Sequence, residues 1–261
     1  MNKYLKYSID YAAQRSYLDD LFKVYPTIPN GLRDVDKDLW EKITLSFKRN
    51  DNLNLVTSML DMELFPIKDS YVAYLRHDRE AIKRNPLTID RIAGRIYEMG
   101  LDEVYKCATV PKETNRQMGS CFKDWVMKGV LGIHCLNMGN FLRDKRQNAI
   151  LNASDAQMQD FARRYLHYNR NKGLDFVARM NGRYIIGEAK FLTDYGGHQN
   201  AQFEDAISTL TAPGVDAVQI AILDGVLYIP GGNKMYKSLL EKYSELNIMS
   251  ALVLREFLYE I

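Results

Sequence analysis

The chain has 261 residues, of which 46% are hydrophobic and 26% are charged, and these ordinary globular values exclude a wholly disordered protein. Its 35 Lys and Arg residues nearly balance its 33 Asp and Glu residues, so net charge alone does not indicate a nucleic-acid binder. Its three cysteines suit a reducing compartment better than a disulfide scaffold. No apolar run approaches the ~18 residues of a membrane span, and the first residues lack the apolar segment of a secretory signal.

The first half of the chain reads mainly as helices. Apolar residues recur with helical spacing over residues 39–45 and 53–60. A further helix is expected from Thr88, as its N-cap, to a stop at Gly100, because threonine caps helix starts and glycine commonly ends helices. Two more helices are expected: one over residues 116–128 and one from Ser154 or Asp155 through Leu166.

Strand signals begin after Asn171. Residues 174–180 and 183–191 are rich in β-forming residues and are separated by Asn181-Gly182. This dipeptide predicts a two-residue hairpin turn, because both turn positions need positive φ. Four elements are expected to follow: a helix near 200–210, a strand at 217–223, a strand at 226–229 after a turn at Asp224-Gly225, and a helix near 234–246. The last apolar run, residues 248–254, suits either a strand or a helix.

This order of elements predicts a mixed α/β protein with a helical N-terminal part. No clear linker separates the two parts, and the boundary is expected between about Gly100 and Gly119. We therefore assign residues 1–110 to a helical N-terminal region and residues 111–261 to an α/β core.

The predicted hairpin brings three charged side chains together. With a two-residue turn, the numbers of paired residues sum to 363, so Asp175 is expected to face Glu188 with Cβ atoms about 4.5–5.5 Å apart. Lys190 lies two residues after Glu188 and points to the same face of the strand. Gly173, the residue expected to pair with Lys190, has no side chain and leaves room above the lysine. Two carboxylates and one ammonium group therefore converge on one side of the hairpin.

Two facing carboxylates repel each other, and like charges across a strand pair destabilise it. A cation between them is therefore expected. Lys190 could be that cation, which would make the trio a structural ion-pair cluster on the hairpin surface. A divalent metal is the alternative, because Mg²⁺ takes one or two carboxylates and completes its shell with water and phosphate oxygens. Such an ion would polarise a phosphodiester and favour an in-line displacement.

Asp175 followed across a hairpin by Glu188-Ala189-Lys190 resembles the active-site motif of the PD-(D/E)XK nuclease superfamily, most of all type II restriction endonucleases. The resemblance implies that Asp175 and Glu188 hold Mg²⁺ and that Ala189 contributes its backbone carbonyl. It implies that Lys190 assists the attacking water. It also implies a restriction-endonuclease-like core with a central mixed sheet flanked by helices, and it covers about residues 117–229.

Two positions depart from the pattern of this superfamily. Leu174 stands where many members have proline before the aspartate. Lys123 and Asp124 stand where an upstream helical glutamate often joins the site. The sequence leaves open whether an upstream acidic residue such as Asp124 contributes.

Charge is unevenly distributed around the motif. Residues 143–190 contain ten Lys or Arg and five Asp or Glu, whereas residues 191–261 contain four and nine. A basic excess suits the phosphates of DNA, although a solvated helix face explains Arg163 and Arg164 as well. The loop 193–202 follows the motif, and its Gln and Asn side chains could read adenine. The residues that we expect to face DNA are Lys172, Tyr195, His198, Gln199, Asn200 and Gln202.

The alternative for this loop is a polar segment in which Asn200 or His198 caps the following helix. The loop therefore remains a candidate for contacts with DNA or for support of the site.

Neither the four histidines nor the three cysteines show the paired spacing of a zinc site.

The resemblance implies a Mg²⁺-dependent type II restriction endonuclease that hydrolyses both strands of double-stranded DNA at a short recognition sequence and leaves 5′-phosphates. It implies a homodimer, because a two-fold symmetric protein matches a palindromic site, and a cytoplasmic location in a prokaryote with no membrane association. The helical N-terminal region would supply dimer contacts, base-reading contacts or both. Two alternatives are a repair or structure-selective nuclease on the same core, and a non-enzymatic DNA-binding protein in which the trio is structural.

Overall fold

The computed structural model describes residues 1–14, 16–26, 32–110 and 118–261. The start of the helix expected over 116–128 lies outside these residues. The chain divides into two compact units, one made of Met1–Ile28 with Thr114–Ile261 and the other of Pro29–Glu113. The first 28 residues thus belong with the C-terminal part, whereas the sequence places them in the helical N-terminal region.

The described residues form these elements in chain order: α1 (Lys3–Ala12), α2 (Tyr17–Val24), α3 (Lys37–Lys48), α4 (Asn52–Leu60), α5 (Ser70–His77), α6 (Ala81–Arg84), α7 (Pro86–Ala108), α8 (Met118–Met127), β1 (His134–Leu136), α9 (Met138–Arg143), β2 (Ala149–Leu151), α10 (Asp155–Tyr165), β3 (Phe176–Met180), β4 (Arg183–Leu192), α11 (Gly197–Leu210), β5 (Val218–Gly225), α12 (Lys234–Glu241), β6 (Ile248–Met249) and α13 (Leu254–Glu260).

The helices α3 to α7 make up the second unit and share an apolar core that includes Leu55 and Ile92. Helix α7 begins at Pro86, a residue suited to the first helical position because it lacks the N–H that would have no partner there. Thr88, predicted as the N-cap, therefore lies inside the helix. Gly100 interrupts the helical conformation with φ +75°, at the position of the predicted stop, and helix resumes as far as Ala108.

The first unit is built on a sheet that, in the part of the chain described, has six strands in the spatial order β1 to β6. The pairs β2–β3 and β3–β4 are antiparallel, and the pairs β1–β2, β4–β5 and β5–β6 are parallel. Apolar residues cover both faces, with Phe176 and Ile185 in one core and Val177 and Ile186 in another. This arrangement confirms the predicted mixed α/β class with a central mixed sheet flanked by helices.

The hairpin between β3 and β4 has the predicted turn and register. Asn181 and Gly182 both have positive φ, 49° and 77°, and Met180 pairs with Arg183. The strand expected at 226–229 is wrong, because residues Val226–Tyr228 form a 3₁₀ helix. Gly225 has φ +100° and lies against the end of β4, so the chain turns out of the sheet there.

The N-terminal segment is tied to the sheet by a buried carboxylate. Asp224, at the end of β5, accepts hydrogen bonds from the Tyr25 hydroxyl at 2.8 Å, the Ser250 hydroxyl at 2.5 Å and the Ala251 N–H at 3.1 Å. Burial raises the pKa of Asp224 to about 6, although these three donors oppose the shift. Leu5 of α1 and Leu21 of α2 are buried in the same core as the sheet, which is why this segment joins the first unit.

Candidate active site

Asp175, Glu188 and Lys190 meet where the paired part of the β3–β4 hairpin ends. The Lys190 ammonium contacts Asp175 Oδ2 at 3.3 Å and also donates to Glu188 Oε1. The two carboxyl groups are therefore bridged by one cation on one side of the sheet. Lys190 and Glu188 share a face because they are two residues apart in a strand.

Asp175 departs from the regular ladder. The last ladder pair is Phe176 with Gly187, and the Asp175 N–H donates to the Gly187 carbonyl at 3.1 Å instead of continuing the pattern. Its carboxylate accepts the Ala189 N–H at 3.0 Å. The ladder therefore ends one pair before the predicted pair of Asp175 with Glu188, and the aspartate side chain accepts the N–H that the next backbone hydrogen bond would use.

Glu188 is almost entirely buried, with 1% of its surface exposed. Its Oε1 atom accepts from Lys172 at 2.8 Å and from Lys190, whereas its Oε2 atom is buried without a partner in the described part of the chain. Burial and the nearby Asp175 carboxylate raise the pKa of Glu188 against the opposing effect of the two lysines. A buried oxygen without a hydrogen bond is rare in proteins and calls for an explanation such as a role in binding an ion.

The Lys190 side chain is also largely enclosed. Burial disfavours its charged form, but the Asp175 and Glu188 carboxylates outweigh burial and raise the pKa of Lys190 above its ordinary value of 10.5. Lys190 is therefore an ammonium ion at neutral pH in the metal-free protein.

A second lysine supports the site. Lys172, predicted to face DNA, lies between Glu188 and Asp205, a residue of α11, and forms ion pairs with both. Arg170 approaches the same Asp205 at 3.8 Å. Sequence reasoning missed Asp205, because it lies 33 residues from Lys172 and no local spacing relates the two.

The residues present fit a magnesium ion. Asp175 offers a carboxylate, and Glu188 offers its unpartnered Oε2. Since the N–H and C=O of a strand residue point to the same edge, the Ala189 carbonyl points toward the edge where its N–H meets Asp175. The described residues hold no group of three or more His, Cys, Asp or Glu side chains suited to a metal. Two carboxylates and a carbonyl match the few protein ligands that Mg²⁺ usually takes.

Gly173 and Lys123 border the site in ways that the sequence does not reveal. A Cβ atom at Gly173 would lie 2.8 Å from the Asp155 Cβ, so this glycine permits the close approach of α10 and does not merely leave room above Lys190. Asp155 forms an ion pair with Lys123 of α8. Lys123 and Asp175 line the same small cavity, whereas Asp124 is exposed and is not among the residues that line it.

Three of the residues expected to face DNA shape the loop before α11. The Tyr195 hydroxyl donates to the Val226 carbonyl at 2.9 Å, and the Asn200 amide donates to the Tyr195 carbonyl at 2.9 Å. The Gln199 side chain accepts the Thr193 N–H at 3.3 Å. These contacts give the loop its conformation.

His198 and Gln202 have a different environment. They lie one turn apart on α11, and the His198 Nε2 atom is 3.0 Å from the Gln202 amide nitrogen. The N-cap of α11 is Gly196, and no side chain caps this helix through a hydrogen bond. The alternative in which Asn200 or His198 caps the helix is therefore wrong, and the His198–Gln202 pair remains accessible to a ligand.

Comparison with known protein families decides the identity of the chain. A family model described as "Tsp45I type II restriction enzyme" matches residues 2–261. The chain belongs to the Tsp45I type II restriction enzyme family. No curated protein matches the chain. No solved structure matches it either.

Membership of the Tsp45I family confirms the resemblance stated from the motif. The protein is a type II restriction endonuclease, its substrate is DNA, and its mixed α/β fold is of the restriction-endonuclease-like kind. This assignment favours the restriction enzyme over a repair nuclease and over a non-enzymatic DNA-binding protein. None of the helices in the described ranges is long and apolar enough to cross a bilayer.

Proposed function

We propose that this member of the Tsp45I family uses Mg²⁺ to hydrolyse one phosphodiester bond in each strand of a short double-stranded recognition sequence and leaves 5′-phosphates. The observation that carries the proposal is the buried, unpartnered Oε2 atom of Glu188 beside the Asp175 carboxylate. A carboxylate kept in this environment is costly for folding, and such costs cluster at functional sites.

In this proposal Asp175, Glu188 and the Ala189 carbonyl hold the ion. When bound, Mg²⁺ supplies positive charge that polarises the scissile phosphodiester and stabilises charge in an in-line displacement. Lys190, an ammonium ion beside both carboxylates, orients the attacking water and stabilises the phosphoryl oxygens. Lys172 keeps Glu188 Oε1 occupied, which leaves Oε2 as the free coordinating atom.

The proposal extends to DNA and to assembly. His198 and Gln202 contact the DNA from α11, while Tyr195, Gln199 and Asn200 hold the loop in position. The enzyme acts as a homodimer in the cytoplasm of a prokaryote, and the helical unit Pro29–Glu113 supplies dimer contacts, base-reading contacts or both.

Digestion of a sequenced plasmid with and without Mg²⁺ tests this function. We expect a fixed set of fragments with Mg²⁺ for the wild type and for the control Glu241→Gln, whose side chain is exposed on α12. We expect Glu188→Gln, Asp175→Asn and Lys190→Met to cut at least about 100-fold more slowly. Each variant should retain DNA binding in Ca²⁺. Cleavage by Glu188→Gln at the wild-type rate would contradict the proposal.

A further inference from the structure

Arg179 of β3 is a buried cation with an unusual set of partners. Its surface is 1% exposed, and in the described residues no carboxylate pairs with it. The guanidinium donates to the carbonyls of Phe141 at 2.8 Å and Gln147 at 3.0 Å and to the Asp144 carbonyl. The Phe141 ring lies 4.5 Å from the guanidinium carbon. Burying a charge is expensive unless it is well hydrogen-bonded, and all three hydrogen bonds here go to one short segment.

We call residues 143–148 the anchored loop. It consists of the last residue of α9 and the connection to β2, and all its residues are exposed. Arg179 holds the carbonyls of Asp144 and Gln147, whereas Arg143, Lys145 and Arg146 are exposed. Within the described ranges these three cations form no side-chain ion pair. The acid of the loop, Asp144, accepts the Arg146 backbone N–H at 2.9 Å.

The tip of the β3–β4 hairpin adds a fourth cation. The Asn181 N–H donates to the Asn148 side chain at 2.8 Å, which joins the hairpin turn to the anchored loop. Arg183, the first residue of β4, is exposed and has no ion pair in the described part of the chain. The loop and the turn together present a surface of positive charge.

The exposed arginines of α10 differ from those of the anchored loop because they share an acidic partner. Arg163 and Arg164 of α10 both pair with Asp160, at 3.1 Å and 2.8 Å. Among the residues that the structure describes, the arginines of the anchored loop have no acidic partner, and the buried charge of Arg179 adds to theirs. This surface is thus complementary to a polyanion.

The anchored loop lies beside the turn of the β3–β4 hairpin, and the candidate active site lies at the other end of that hairpin. The three residues Ala149–Leu151 of β2 separate it from Asn152, which lines the same small cavity as Asp175. The four residue steps from Asn148 to Asn152 span about 13 Å of extended chain. Half a turn of B-DNA spans about 17 Å, so one duplex can place a phosphate at Asp175 and others at the loop.

We propose that the anchored loop binds the phosphate backbone of the DNA duplex that occupies the active site, and that Arg179 is the positioning residue that holds it. The inference rests on the proposed nuclease function. Duplex DNA is the polyanionic substrate of this restriction enzyme family. The loop contacts give affinity that is independent of base sequence and sensitive to salt.

Binding measured over a range of salt concentrations tests the proposal. The probe is a duplex of about 30 base pairs cut from around a cleavage position mapped on plasmid DNA, with Ca²⁺ in place of Mg²⁺. The variant is Lys145→Gln with Arg146→Gln, and the matched control is Arg163→Gln with Arg164→Gln. Losing two phosphate contacts should reduce the slope of log K against log salt by about 1.8 and weaken binding roughly 10- to 60-fold at 0.1 M salt.

The control should bind with the wild-type slope, because its arginines already pair with Asp160. Both double variants change exposed residues, so unfolding free energies within about 0.5 kcal/mol of wild type are expected. If the wild type binds and cuts DNA but the loop variant binds with the wild-type slope, the inference is overturned and the nuclease function stands. A wild type that neither binds nor cuts overturns both.

Discussion

Replacing Glu188 with glutamine separates a functional site from a structural ion-pair cluster. The substitution keeps the shape of the side chain and removes the charge of a residue that is 1% exposed and whose Oε2 has no partner in the described ranges. Burial and the Asp175 carboxylate disfavour the ionised form of Glu188 and raise its pKa, and glutamine has no charge to bury. Weaker hydrogen bonds from Lys172 and Lys190 offset part of this gain, so the free energy of unfolding at pH 7 should rise by about 1 kcal/mol.

The pH dependence of this difference follows from the pKa of Glu188. Because the folded protein raises that pKa above its ordinary value of 4.5, the charged carboxylate destabilises the fold. The stability associated with the neutral form is present below about pH 4 and is lost as the pH rises through the folded pKa. The advantage of Glu188→Gln should therefore be absent at low pH and reach its full size at neutral pH.

Urea unfolding measures the difference. Trp125 is buried in the unit that carries the site, and a Trp40→Phe background leaves it as the single tryptophan of the chain. Glu241→Gln, on an exposed face of α12, serves as the control and should stay within about 0.5 kcal/mol. If the attraction of Lys172 and Lys190 outweighed the cost of burying the carboxylate, as in a structural cluster, the substitution would instead cost about 3–5 kcal/mol. A loss of that size in Glu188→Gln would refute the reasoning.

Three further predictions concern other parts of the first unit. Because the fold raises the pKa of Asp224 from 3.8 to about 6, the free energy of unfolding should fall by about 3 kcal/mol as the pH rises from about 4 to above 6. Asp224→Asn should flatten urea-unfolding stability over this range, and an unchanged slope would contradict the assignment. Gly225→Ala places a Cβ atom on the Leu192 carbonyl and should lower the free energy of unfolding by several kcal/mol. Gly182→Ala, with open space around it, should lower it by only about 1–2 kcal/mol. Equal unfolding midpoints for the two variants would argue against this contrast. Lys172→Met should slow single-turnover cleavage at saturating DNA, while its Kd for DNA in Ca²⁺ stays within about threefold of the wild-type value. Weaker DNA binding with an unchanged cleavage rate would instead indicate that Lys172 contacts DNA.

The hairpin could be predicted from sequence because its information is local. Asn181-Gly182 specifies a two-residue turn, and the turn alone sets the pairing of Met180 with Arg183 and of every pair back to Phe176. The placement of Glu188 and Lys190 on one face then follows from the period of a strand. The departure at Asp175 could not be predicted, because it depends on a side chain competing with the backbone for one N–H.

Long-range contacts set the limit for the rest of the site. The amphipathic pattern of α1 and α2 predicts helices with a buried face but does not say that this face covers the sheet. Similarly, nothing in the spacing of Lys172 and Asp205 indicates that they meet beside Glu188. Such contacts arise from packing between distant segments, which single-sequence patterns do not encode.

The central claim is that a divalent ion held by Asp175 and Glu188 drives DNA cleavage. Single-turnover cleavage of plasmid DNA during a Mg²⁺ titration, followed by excess EDTA, tests it most directly. The account predicts a rate that rises with Mg²⁺ and saturates, and that is abolished by the chelator. Full cleavage by the wild type in excess EDTA would contradict it.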